Sequence, residues 1–168
     1  MMRVEGNRVV VETSTLTAVL EAGFLVSLRS RATDREMIEP FDPGEDDALE
    51  LIYRANESVP LDRRTAGSVH TRALGPDRAM VCLQSWDGDG HLEVSEDPAT
   101  GELILEPSAF SGRPGVVACR WLLRGIRPDL ELVAPFFQGV KLPLDDPLIA
   151  GTRWPWPYRW EAALAILQ

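Results

Sequence analysis

Apolar positions come along this chain in short runs separated by glycine, proline and acidic residues, not in long stripes. Arg8 to Thr13 (RVVVET) and Thr15 to Leu20 (TLTAVL) are dense in β-branched residues. Such side chains lose rotamer freedom in a helix and pack well on a pleated surface, so both runs read as strands. After Gly23, Phe24, Val26 and Leu28 alternate with Ser27, Arg29 and Arg31, a period of two that buries one face. Ala32 to Glu36 is a polar reversal, and Pro40 to Asp47 is an acidic loop in which two prolines forbid regular structure. In Ala48 to Arg54, the spacing of Leu49, Ile52 and Tyr53 fits one helical turn, and a strand fits nearly as well. Asn56 to Gly75 is polar with little periodicity and reads mostly as loop.

Further on, Arg78 to Trp86, Leu92 to Ser95 and Glu102 to Glu106 are strand-like, divided by Asp87-Gly88-Asp89-Gly90 and Asp97-Pro98-Ala99-Thr100-Gly101, the residues hairpin turns demand. Val116 to Arg124 sets Val117, Cys119, Trp121 and Leu123 on one face, and Leu130 to Ala134 is one more strand. About eight to ten short strands at intervals of roughly 8 to 12 residues, with no long amphipathic helix, predict an all-β antiparallel β-sandwich. Phe24, Val26, Leu28, Val117, Cys119, Trp121 and Leu123 are the expected core, facing one another across two sheets.

Composition narrows the function classes. A length of 168 residues fits one domain spanning 1–168. Twenty-six acidic against 17 basic residues give a net charge of −9, which repels phosphate backbones and anionic lipid, so neither nucleic acid nor membrane is an expected partner. Lys141 is the only lysine. Cys82 and Cys119 lack CxxC spacing and read as buried thiols, and with His70 and His91 the only histidines, a three-histidine metal site is impossible. No metal or cofactor is therefore expected. Met1 to Gly6 turns polar at once, with no apolar leader, which makes a cytoplasmic location the default expectation.

The densest aromatic segment is Arg153-Trp154-Pro155-Trp156-Pro157-Tyr158-Arg159-Trp160, which holds three of the five tryptophans. Alternating prolines favour an extended backbone, which sends Trp154, Trp156, Tyr158 and Trp160 to one side with Arg153 and Arg159 on the other. Such rings stack on sugars or close one end of a core. Asp87-Gly88-Asp89-Gly90-His91 has oxygen ligands at calcium-loop spacing but lacks the later ones, and a hairpin turn explains it better. Asp145-Asp146 and Glu161 are best explained by turn capping and loop solvation.

The N-terminal pattern resembles the opening of galactose-mutarotase-like sandwich domains, which often stand at the N-terminus of glycoside hydrolases. Gly23, Ser27, Leu28, Thr33, Asp34 and Glu36 carry the similarity, in a "G-hydrophobic-x-S-L" strand followed by a "T-x-R/K-E" turn. Residues 119–143 look like the family's strand pair leading to a "P-x-x-x-G" segment, and residues 153–168 like its Trp/Pro stretch. The middle of the chain is unmatched, and the histidine motifs and length of a catalytic mutarotase are missing. The resemblance implies a non-catalytic domain that supports a glycosidase domain and contacts glycan. It also implies that the chain is a fragment, since Ala163 to Gln168, helical by propensity, is in those domains a strand that runs onward. A stand-alone aldose-epimerase-like enzyme, using His91 with a carboxylate, and a structural protein-interaction module whose aromatic segment packs on an adjacent domain are the alternatives, and the partners expected are carbohydrate, an adjacent catalytic domain or a second copy of the chain met through that segment.

Overall fold

A computed structural model describes residues 1–41, 48–60, 68–84, 88–134, 140–149 and 166–167. The chain divides into two compact units, Met1–Gly125 and Ile126–Gln168. All regular structure among the described residues is antiparallel β apart from a single 3-10 turn at Arg54–Asn56.

The first unit opens with a meander of β1 (Met2–Glu5), β2 (Arg8–Glu12), β3 (Leu16–Glu21) and β4 (Phe24–Ser30). Its hairpins close with the turn chemistry short connections need. Ala22 and Gly23 both have positive φ, 50° and 92°, the pattern of a two-residue turn whose twist matches the strands. Between β2 and β3, the buried Thr13 hydroxyl accepts from the N–H groups of Thr15 and Leu16, both at 3.1 Å. A second four-stranded sheet follows from β7 (Ser68–Ala73), β8 (Arg78–Gln84), β9 (Asp89–Glu96) and β10 (Leu103–Phe110), in the order β10-β9-β8-β7. Three strands, β5 (Leu49–Tyr53), β6 (Ser58–Pro60) and β11 (Val116–Trp121), form a third sheet with β5 in the middle. In the second unit β12 (Glu131–Ala134) pairs with both β13 (Val140–Pro143) and β14 (Ile166–Leu167).

Four of these strands, β5, β6, β7 and β14, fall where the sequence left the element open or pointed elsewhere. Of the two readings open for residues 48–54 the strand is the one observed, over Leu49–Tyr53, with Leu49, Leu51 and Tyr53 buried on one face. The supposed loop of 56–75 contains β6 and β7. β7 is cryptic because its solvent face carries His70 and Arg72 while its other face carries only Val69, Thr71 and Ala73, too little apolar bulk to signal a strand. Ile166–Leu167 is a strand despite its helix-forming neighbours, because Leu132 and Val133 supply cross-strand partners.

The core of the first unit comes from facing alternations: Val9 and Val11, Ala18 and Leu20, Ala79, Val81 and Leu83, and Leu92 and Val94 are all at most 1% exposed. Gly23 sits where the first and second sheets approach. A Cβ there would stand 3.0 Å from that of Ala48 and 3.7 Å from Leu83 Cδ1. At the turn ends, Thr15 Oγ1 donates to the Gly101 carbonyl at 3.1 Å. Gly101 has φ 72°, and a Cβ on it would lie 2.2 Å from Ser14 Oγ. Gly101→Ala is expected to destabilise the protein by about 1 to 2 kcal/mol, from left-handed strain and this clash. Urea unfolding checks the value, and adding Ser14→Ala should recover only the steric part.

The expected core needs correction at six of its seven positions. Phe24 is buried, but Val26 and Leu28 are only half-buried, Val117 is 60% exposed and Leu123 is 36% exposed, while Cys119 and Trp121 are half-buried. Two bulges are responsible. Leu20 pairs with Leu25 and Val19 with Ser27, which leaves Val26 extra; Val116 pairs with Tyr53 and Ala118 with Ile52, which leaves Val117 extra. One inserted residue resets which face the chain beyond it occupies. Leu123 lies past the end of β11.

Candidate functional site

The sheet β7–β10 has one face against the core and one face outward. In β8 and β9 the buried residues are Ala79, Val81, Leu83 and Gly90, Leu92, Val94, so Met80, Cys82, Gln84, Asp89, His91 and Glu93 occupy the opposite face. Register then assembles a row. His70 on β7 is opposite Cys82 on β8, Cys82 is opposite His91 on β9, and His91 is opposite Ser108 on β10. Directly opposed residues share a face with Cβ atoms about 4.5–5.5 Å apart. Both histidines of the chain and one of its two cysteines thus stand side by side across three strands. His70 is exposed, and Cys82 and His91 are half-buried, so the cysteines are less enclosed than their apolar sequence context implies.

Around this row the face is polar with one aromatic edge. One row away, Arg72 and Glu93 flank Met80; Arg72 Nη2 lies 3.9 Å from Met80 Sδ, and Glu93 is held by Arg78 Nε at 2.9 Å. On the other side Gln84 pairs with Asp89 and Asp89 with Phe110, whose ring is 70% exposed. Exposed Ile104 is the other apolar residue at the β10 edge of this face.

Two depressions elsewhere in the first unit are explained by the fold. One, of about 410 Å³, is lined by Tyr53, Arg54, Glu57, Arg113, Pro114 and Gly115. Its polar groups satisfy each other: the Arg113 guanidinium lies 4.3 Å from the Tyr53 ring centroid, donates to Glu57 at 2.6 Å, and Tyr53 Oη meets Ser111 Oγ at 2.8 Å. They fasten the connection between β10 and β11 to the end of β5. The other, of about 390 Å³, is lined by Glu21, Val26, Glu36, Ile38, Pro40 and Phe41. There the Glu36 carboxylate accepts from Ser27 Oγ at 2.6 Å and from the N–H groups of Leu28, Met37 and Ile38 at 2.8, 3.0 and 3.0 Å. Burial pushes its pKa up, but these four hydrogen bonds outweigh burial and hold it below the ordinary carboxylate value. Residues 27 and 36, both prominent in the family resemblance, are therefore partners in one turn lock.

Arg153, Trp154, Trp156, Tyr158, Arg159 and Trp160 lie outside the described residues, as do Asp87 and Glu161. Asp146 does cap a turn, accepting from the Leu148 N–H at 2.8 Å. Asp97 fills the same role at the β9–β10 hairpin, accepting from the Ala99 N–H at 2.8 Å.

Inspection of the sequence missed the histidine–cysteine row because its members are twelve and nine residues apart and share no motif. A signal existed in the turns. His70 and Cys82 are each six positions from Pro76, and Cys82 and His91 each four positions from the pair Trp86–Asp87. Had both hairpin centres been placed, antiparallel pairing would have aligned all three. No protein-family model, curated protein or solved structure matches this chain.

Proposed function

We propose that this chain is a non-catalytic β-sandwich domain of the galactose-mutarotase-like kind, serving a carbohydrate-active protein, and that the outer face of the β7–β10 sheet contacts glycan. The observation that carries the reading is the composition of that face, where Gln84 and Asp89 share a row with exposed Phe110 and His70, Cys82, His91 and Ser108 make up the next row. Imidazole, amide, hydroxyl and carboxylate together offer both donors and acceptors to sugar hydroxyls, and an aromatic ring covers the C–H face of a pyranose. The sandwich is supported by two four-stranded antiparallel sheets that each bury one face, with the Ala22-Gly23 turn against Leu83 and the Thr15 to Gly101 bond tying the turns. The Ser27–Glu36 lock supports the family resemblance at the residues that carry it.

Titration with mono- and oligosaccharides, followed by amide NMR shifts, tests this reading. Saturable shifts clustered at residues 70, 82, 91, 108 and 110, weakened about tenfold by Phe110→Ser, are expected. A flat response at tens of millimolar sugar overturns it, and concentration-dependent self-association in the same samples would favour the interaction module. Tryptophan fluorescence with Trp156→Ala assigns any contribution of residues 153–160. Should the protein accelerate galactose anomer exchange above buffer, and His91→Asn abolish that, the epimerase reading replaces the accessory one.

A further inference from the structure

We propose that the cavity at the end of β5 binds a small organic carboxylate, with the Arg54 guanidinium as its anchor and Arg113 as a second positive charge. The inference is independent of the glycan reading. The cavity's volume, about 410 Å³, falls within the roughly 300 to 1,000 Å³ of small-molecule sites. Two arginines and one carboxylate, Glu57, are its charged lining residues, so the lining carries a net positive charge. The chain as a whole stands at −9, and the charged residues lining the second depression are Glu21 and Glu36 alone. In an acidic protein a locally positive cleft concentrates anions.

The rim is held by backbone, which leaves an arginine over. Arg54 N–H donates to the Gly115 carbonyl at 3.0 Å and ties the turn after β5 to the segment before β11, while Tyr53 N–H donates to the Glu57 carbonyl at 2.8 Å and closes that turn. Between these bonds Ala55 takes φ 68° and ψ 20°, a left-handed conformation that strains any residue with a Cβ. Strain of this kind collects at ligand clamps. The Arg113 guanidinium lies over the Tyr53 ring and donates to Glu57 at 2.6 Å, and its backbone N–H donates to Ser111 Oγ at 3.0 Å. One carboxylate thus already sits on an arginine in this cavity. Arg54 is exposed, and among the described residues no hydrogen bond or ion pair engages its guanidinium. A guanidinium takes a carboxylate through two parallel N–H bonds. The single unmatched positive charge suits a singly charged ligand better than a phosphate monoester at about −1.5 to −2.

Amide NMR titration at low salt tests this with D-glucuronate, a carboxylate on a sugar-sized body, and with D-glucose and inorganic phosphate alongside. Saturable shifts at residues 54, 57, 113 and 115 are expected with glucuronate, while D-glucose leaves those residues unmoved. Arg54→Gln keeps the backbone bond to Gly115 and should weaken binding about tenfold, the scale of one charge-assisted hydrogen bond. Glu57→Gln removes the carboxylate that competes for Arg113 and should tighten binding about threefold, the scale of an exposed ion pair. Raising the wild type to about 1 M KCl should weaken binding severalfold, which reads the charge without any variant. The proposal is overturned if Arg54→Gln binds as tightly as the wild type, if D-glucose shifts the same residues, or if phosphate binds as tightly as glucuronate. No shift at tens of millimolar glucuronate also overturns it. The glycan reading is followed at residues 70, 82, 91, 108 and 110, so either response can fail while the other stands.

Discussion

Replacing Phe24 by alanine is expected to lower the free energy of unfolding by about 3 to 5 kcal/mol, the usual cost of emptying a buried aromatic site. The ring is 1% exposed and meets Phe41 edge-on, with centroids 6.0 Å apart and planes at 70°. It opens β4 directly after the Ala22-Gly23 turn, so its cavity would lie where turn and sheet meet and could collapse only by distorting a positive-φ pair. Trp121 is the larger residue, and the alternation of β11 places it in the core. In the structure it is half-buried, its Nε1–H donating to the Gly23 carbonyl at 2.9 Å. Trp121→Ala removes that bond and part of an apolar contact, for about 2 to 3 kcal/mol. Urea unfolding of both variants with unchanged m-values should rank Phe24→Ala as the more damaging; the reverse order would put the centre of the core beneath β11.

That ranking turns on what alternation can and cannot reveal. Strands such as β2, β3, β8 and β9 were legible because β-branched and apolar residues recur at every second position and turn residues bracket them. Bulges were not legible. Val26 and Val117 are ordinary strand residues, and nothing local distinguishes an extra valine from a paired one; only the partner strand does. β7 was hidden for a related reason, since its inner face is lined by small or polar residues. The candidate site depends on that strand. With β7 unrecognised, His70 was an isolated surface histidine, and the row through Cys82 to His91 could not be drawn. The aromatic segment had the opposite character, conspicuous in composition yet outside the residues whose placement is described. Among the resemblance residues, Gly23, Ser27 and Glu36 proved to be structural: a turn glycine and a hydrogen-bonded pair.

The pair Ser27–Glu36 sets the largest expected pH effect. Glu36 folds back from the turn after β4 and bridges antiparallel to Arg29, its carboxylate taking one hydroxyl and three backbone donors. Because those bonds favour the ionised form, its folded pKa lies below the unfolded one. The sign follows from linkage. A depressed carboxylate contributes stability that is fully present above its unfolded value, about 4.3, and is lost as the pH falls through the lower folded value. Glu36→Ala removes an acceptor from three backbone N–H groups, of which that of Met37 keeps the Leu28 carbonyl at 2.9 Å, and is expected to cost about 2 kcal/mol at pH 7, moderated by partial access of water. Glu36→Gln keeps one acceptor oxygen and should cost less. Urea midpoints measured from pH 7 to pH 3 should show the gap between wild type and Glu36→Gln closing below about pH 4, as the wild-type carboxyl itself protonates. Ser27→Ala, which removes one of the four donors, should narrow the same gap without abolishing it. A gap that stays constant across this range would mean that the carboxylate's charge contributes nothing, and that the turn is held by packing of Ile38 and Phe41 alone.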